Sequence, residues 1–285
     1  MLYWNESMQK GEPEPMKIAV FYENIWDGVR ETGAGMGETL RAFKAAGMEL
    51  LYISADSWKR DGKALAPILR DLEMGVEGMH AFLDFPKGAA EKDARAAVEL
   101  ALEAGAGNLL IVPGFLSTGN SARDAGRMLD GMRMAAACGK EKGLPVLMED
   151  FDGIFAPYNC MAGLKYFLDR IPDLGCAFDT GNFVTFREDE LEAFDLFADR
   201  IRTLHLKDRC ATPRHERDAA FCRADQTKCY CCAVGSGEIR IKEILRRLEE
   251  RAYPGNVIVE LYCCDARYVL DDLLSSVQWL RANLS

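Results

Sequence analysis

The chain has 285 residues, 49% apolar and 28% charged, enough to bury a full core as one domain. Its net charge of −10 argues against a nucleic-acid partner, because phosphate binding needs a basic face. No apolar run approaches the ~20 residues that span a bilayer, which speaks against a membrane protein.

The opening stretch MLYWNESMQKGEPEP has no basic flank followed by an apolar core, so residues 1–15 read as a loose tail rather than a signal peptide. Ten cysteines are then expected as reduced thiols in a cytoplasm. From Met16 to residue 285, strand-like and helix-like segments alternate eight times. The first strand is expected at 17–23, and a Gly-rich loop (32–37) leads to a helix over 38–46 that Gly47 ends. A strand at 49–55 precedes a helix at 63–73, and a strand at 76–82 precedes a helix at 89–104 rich in Ala, Glu and Lys. The fourth strand is 108–112, and its helix, 121–142, opens on Ser121 as a candidate cap. The fifth strand, 146–150, is followed by a helix at 158–170 behind Pro157. Strands at 176–179 and 201–205 flank a helix at 189–199. Residues 209–234 break the rhythm as a long Cys-rich loop before a helix at 238–251, a last strand at 256–261 and a closing helix at 268–284.

Eight β-then-α units imply parallel strands joined by right-handed crossovers. Their regularity favours an α/β fold of the closed (β/α)8 TIM-barrel type, as a single domain, over an open doubly wound sheet. No G-x-G-x-x-G follows the first strand, so dinucleotide binding has no support.

Four successive strands end in residues able to hold a cation: Glu149, Asp179, His205 and Glu260. In a barrel those ends share one mouth, and three carboxylates facing an imidazole there would repel one another without a cation. Any one acid alone is an ordinary rim residue; four at matched positions point to one divalent metal ion. Oxygen-rich ligation with one His favours Mn2+, Mg2+ or Co2+ and is compatible with Zn2+ or Fe2+. Such an ion would stabilise negative charge developing on the oxygens of a bound substrate.

The motifs MED (148–150), FDTGNF (178–183), HLKD (205–208), GSGEI (235–239) and VELY (259–262) resemble those of the xylose isomerase-like TIM barrels, the sugar phosphate isomerase/epimerase group. The resemblance implies that Glu149, Asp179, His205 and Glu260 ligate the metal and that Glu149 and Glu260 form the acid/base pair. It implies a small polyol, ketose or sugar-phosphate substrate, and homo-oligomers are common among such barrels. The segment PRHE (213–216) is similar to the family stretch that carries a substrate-contacting Arg, here Arg214. Asn182 stands where many relatives have a second His, and can still hydrogen-bond a sugar hydroxyl. His80 and Lys207 are further candidates for substrate contact, each with a bland alternative: a structural hydrogen bond for His80, a solvated rim position for Lys207. Glu23 and Trp26, closing the first strand, could wall the pocket. The three-zinc endonuclease branch is excluded, since only His80, His205 and His215 are present.

The expected activity is a metal-dependent sugar isomerase or epimerase. A dehydratase of inosose or dehydroshikimate type is the alternative, and a non-catalytic binding barrel a third reading. Cys229 and Cys232 form a C-x-x-C, with Cys210, Cys222, Cys263 and Cys264 as neighbours, so a thiolate metal site or redox pair is also open.

Overall fold

The structure, a computed structural model, describes residues 15–284; all but Pro15 of the expected tail lies outside the described residues. In chain order its elements are β1 (Ile18–Phe21), α1 (Tyr22–Thr32), α2 (Met36–Ala46), β2 (Met48–Ser54), α3 (Ala55–Asp71), β3 (Gly75–Phe82), α4 (Glu91–Glu103), β4 (Leu109–Val112), α5 (Ser121–Lys142), β5 (Val146–Glu149) and α6 (Met161–Arg170). There follow β6 (Gly175–Asp179), α7 (Glu190–Phe197), β7 (Ile201–Leu206), β8 (Asp208–Cys210), β9 (Phe221–Cys222), β10 (Lys228–Cys232), α8 (Ile241–Glu250), β11 (Val257–Val259) and α9 (Val269–Asn283).

Eight of the strands close a parallel barrel in the order β1-β11-β7-β6-β5-β4-β3-β2. Strand alternation divides the core into two shells. Inward residues Ala19, Phe21, Tyr52, Leu110, Leu147, Ala177 and Ile258 fill the barrel. Outward residues such as Val20, Ile53, Ile111, Met148, Phe178 and Val259 meet the helices in the larger cluster.

Several boundaries differ from the sequence reading, each for a local reason. The first strand stops at Phe21, and Tyr22–Thr32 is a helix that Gly33 ends in the left-handed conformation. Tyr22, Ile25 and Val29 recur at helical spacing there, but the β-rich start IAVFY and the glycines that follow mask it. Glu23 and Trp26 therefore sit on α1, not at a strand end. Helix α3 begins at Ala55 rather than 63 because Ser54 accepts the Ser57 amide as an N-cap. Helix α5 has the expected bounds, yet Asn120 occupies its N-cap position and Ser121 does not cap it. Helix α6 starts three residues late, since Tyr158 is held in the loop by a 2.9 Å bond from its hydroxyl to the Gly114 carbonyl.

The long loop is not irregular throughout. Strands β8, β10 and β9, in that order, form a small antiparallel sheet set against the barrel mouth.

Candidate metal and active site

Each of the four strand-end residues is placed by the pleat of its strand. Glu149 follows inward Leu147 on β5, Asp179 follows inward Ala177 on β6, and Glu260 follows inward Ile258 just beyond β11. Register brings them together: Asp179 pairs with His205, and His205 pairs with Ile258. One potential ligand atom from each of Glu149, Asp179, His205 and Glu260 lies within 4.8 Å of the other three, and all four residues are buried. His205 Nδ1 is 2.5 Å from Glu149 Oε1 and 3.5 Å from Glu260 Oε2.

One cation of the protein's own enters the cluster. Lys207, expected at a solvated rim, is buried, with Nζ 3.0 Å from Asp179 Oδ2, 2.8 Å from Glu260 Oε1 and 3.1 Å from Asn182 Oδ1. The ammonium thus makes two ion pairs and one hydrogen bond. Burial opposes its charge, but Asp179 and Glu260 outweigh that and hold its pKa well above the ordinary lysine value. The carboxylates remain under-compensated. Burial, with Asp179 adding to it, drives Glu149 well above the usual carboxylate range. Burial likewise pushes Asp179 up to about 6, against the pull of Lys207. Burial lowers the His205 pKa and so favours the neutral imidazole that metals bind. A site in which acids are forced toward protonation while a neutral imidazole faces them fits a divalent cation. Glu149, Asp179, His205 and Glu260 are the residues that could hold it.

A profile described as xylose isomerase-like TIM barrel matches residues 37–283, nearly the whole of the barrel just described. The chain belongs to that family.

Known members and structural neighbours diverge in activity. The chain is 34% identical over 86 residues to an inosose dehydratase of Lacticaseibacillus casei, a match spanning 29% of this chain and 28% of that relative's length. Among solved structures, the probable 3-DHS dehydratase AsbF of petrobactin synthesis from Bacillus anthracis superposes with a TM-score of 0.71 at 14% identity, covering 93% of this chain and 99% of that one. The 3-keto-D-glucoside 4-epimerase YcjR from E. coli gives a TM-score of 0.69 at 16% identity, covering 94% and 99%. Such distant likenesses establish the shared barrel. No helix among the described residues is long and apolar enough to cross a membrane.

In this xylose isomerase-like barrel the ligand cluster floors a cavity of about 810 Å3. Glu149 and Glu260 line that cavity, whereas Asp179 and His205 lie behind it. His80, Asn182 and Lys207 also reach it, as do Glu23 and Trp26 from α1. His80 stacks on Tyr52 with ring centroids 5.7 Å apart, and burial lowers its pKa. Asn182 donates from Nδ2 to the Asp150 carbonyl, 2.6 Å, leaving Oδ1 to Lys207. Arg214 is not brought to the cavity; it is exposed and donates to the Ser236 carbonyl.

Two supporting residues escaped the sequence reading. Asp150 is fully buried and accepts the Asp179 amide at 3.1 Å, which fixes the backbone at Asp179. Arg209, also fully buried, bonds the Gly181 carbonyl at 3.1 Å and Asp152 at 3.0 Å, with Phe221 of the small sheet against its guanidinium. Alternation from His205 and Lys207 puts Arg209 on the inward face, a signal within reach of the sequence.

The thiols meet only in pairs, Cys231 with Cys264 and Cys232 with Cys210. All ten cysteines are free, and among the described residues the acid–His cluster is the one group with metal-binding proximity. Cys229 and Cys232 are three apart in extended β10, so alternation sends them to opposite faces and the C-x-x-C cannot chelate.

Proposed function

We propose that this chain is a divalent-metal-dependent enzyme that moves a proton on the carbon beside a ketone in a polyhydroxylated substrate, with sugar isomerase or epimerase activity as the principal reading. One observation carries it: of the four clustered residues, the two glutamates alone face the cavity, so they can reach a substrate while Asp179 and His205 anchor from behind. A divalent ion held by Glu149, Asp179, His205 and Glu260, with Mn2+, Mg2+ or Co2+ favoured, would supply positive charge to the oxygens of a developing enediolate. Glu149, buried at the cavity floor, is placed to take a proton from the reacting carbon or return one to it. Glu260 shares Lys207 with Asp179, and this contact fixes its orientation. Asn182 and half-buried His80 offer polar atoms to substrate hydroxyls.

Return of the proton to the opposite face gives an epimer, and return to the neighbouring carbon gives an aldose. Loss of a β-hydroxyl instead makes the enzyme a dehydratase, and the sequence match to an inosose dehydratase favours keeping that second reading. The test is a panel of ketoses and inososes with Mn2+ in D2O, with products identified by NMR. Glu149→Gln and Glu260→Gln should each cut turnover about 100-fold or more and leave the far-UV CD spectrum unchanged. Substantial residual rate in both variants would refute the scheme.

A further inference from the structure

The places where a barrel mouth ordinarily binds phosphate are, in this chain, filled by the protein's own carboxylates. Helix N-termini and glycine-rich turns present unpaired amides that attract anions, and in TIM barrels the loops after the late strands form the usual phosphate site. Here the glycine-rich turn after β10 is closed around Asp208. The Gly235 and Gly237 amides each donate to Asp208 Oδ2 at 2.9 Å, and the Arg209 and Ile239 amides donate to Oδ1 at 2.9 and 3.2 Å. On the opposite wall, α1 carries Glu23 in its first turn and α3 carries Asp56. Glu23 Oε1 takes the Ser54 amide at 2.9 Å, and Ser54 in turn caps the Ser57 amide at 3.0 Å.

The remaining charge has the same sense. Among the described cavity-lining residues, Lys207 and Arg60 alone carry a fixed positive charge. Lys207 is paired with Asp179 and Glu260 and hydrogen-bonded to Asn182. Arg60 gives Nε and one terminal nitrogen to Asp61, 3.0 and 2.6 Å, and lies 4.7 Å over the Trp26 ring. Glu23, Asp27 and Asp56 face the cavity from this wall. A second anion brought here would meet Glu23, Asp27, Asp56 and Asp152, against two cations that each already face a carboxylate.

We infer that the substrate is electrically neutral, a polyhydroxylated ketone bearing neither phosphate nor carboxylate. This rests on the proton-transfer reading above and narrows it to a substrate class. Hydroxyl groups suit the wall because carboxylates accept their hydrogen bonds, and the apolar faces of Trp26 and Tyr262 suit the C–H face of a sugar ring.

The experiment compares matched pairs: ketohexoses with their 6-phosphates, and an inosose with dehydroshikimate. Deuterium uptake from D2O is measured with Mn2+, and the ligand-induced change in Tm is measured on the same protein. The neutral member of each pair should exceed the anionic one at least about 100-fold in kcat/KM and should alone raise Tm. An Asp27→Asn, Asp56→Asn double change should narrow that ratio, which a merely steric preference would not do. Equal or better turnover or binding of the phosphate or the carboxylate overturns the inference and leaves the proton-transfer reading standing. Absence of deuterium uptake from every member sinks that reading, and the Tm comparison then decides the inference alone: a shift by neutral ligands only keeps it, and any other pattern overturns it.

Discussion

Lys207 Nζ lies 2.8 Å from Glu260 Oε1, and both residues are buried at the floor of the cavity. The ammonium also meets Asp179 at 3.0 Å, so one lysine ties together two acids of the cluster. Removing one partner of a buried ion pair strands the other in a low dielectric, which costs about 3–5 kcal/mol. Lys207→Met should therefore destabilise the metal-free protein by about that amount in urea titration. Saturating Mn2+ should restore part of the loss, because it supplies positive charge to the same carboxylates. A variant as stable as the parent without metal would show that the pair holds nothing together.

Metal and protons should compete. Burial raises Asp179 to about 6, and Glu149 is raised in the same direction. Between roughly pH 4 and 6 the folded metal-free chain then keeps protons that the unfolded chain has released. Fewer protons bound in the unfolded state mean that this contribution to stability falls as pH rises. A bound divalent ion favours the ionised acids and removes the penalty. The Tm difference between Mn2+-loaded and EDTA-treated protein should widen from about pH 5 to about pH 7.5, with protons released on binding. A difference that stayed flat or shrank across that range would contradict the cluster as the metal site.

Asp208 holds a turn, not a substrate. Its carboxylate accepts amides from Arg209, Gly235, Gly237 and Ile239, and a side chain at Gly237 would collide with it. Charge-assisted bonds of this kind are each worth about 1.5–3 kcal/mol, though four sharing one acceptor group do not add. Asp208→Ala should lower stability by about 2–4 kcal/mol, and Asp208→Asn, which keeps one acceptor oxygen, should lose less. Thermal unfolding of the two variants decides it, and equal losses would assign the effect to packing.

Cys229→Ser with Cys232→Ser should leave the metal content per chain unchanged in atomic emission analysis. The two thiols lie on opposite faces of β10, so they contribute no joint site. A drop in bound metal would mean that the small sheet carries a ligand.

The barrel and the convergence of the four strand-end residues were legible because they depend on simple periods. Each strand end was a short apolar run stopping at an acid or His, and alternation alone aligned Glu149, Asp179 and Glu260 with the inward residues two before them. Helix α1 was hidden because its first residue continues a β-rich run and its last precedes a glycine cluster. The burial of Lys207 was hidden because no single-residue rule puts a lysine inside; it needs Asp179, Glu260 and Asn182 arriving from other segments. Arg214 was expected near the substrate by analogy of its surrounding motif. The intervening sheet β8–β10 instead leaves it on the outer surface, and Arg209 occupies the interior.

One carboxylate joins the start and the finish of the excursion between β7 and α8, so the ring closes across it as it would across a short turn. Closure entropy rises only slowly with the number of residues enclosed. Length and composition between the two clamps can therefore drift without disturbing strand order. Yet the segment is no bystander: Cys231 Sγ rests 3.9 Å from the Glu260 carbonyl oxygen. The segment thus forms part of the wall beside Glu260, and Arg209 within it reaches Gly181 and Asp152, so a change there is felt at the cavity while Asp208 keeps its two ends together.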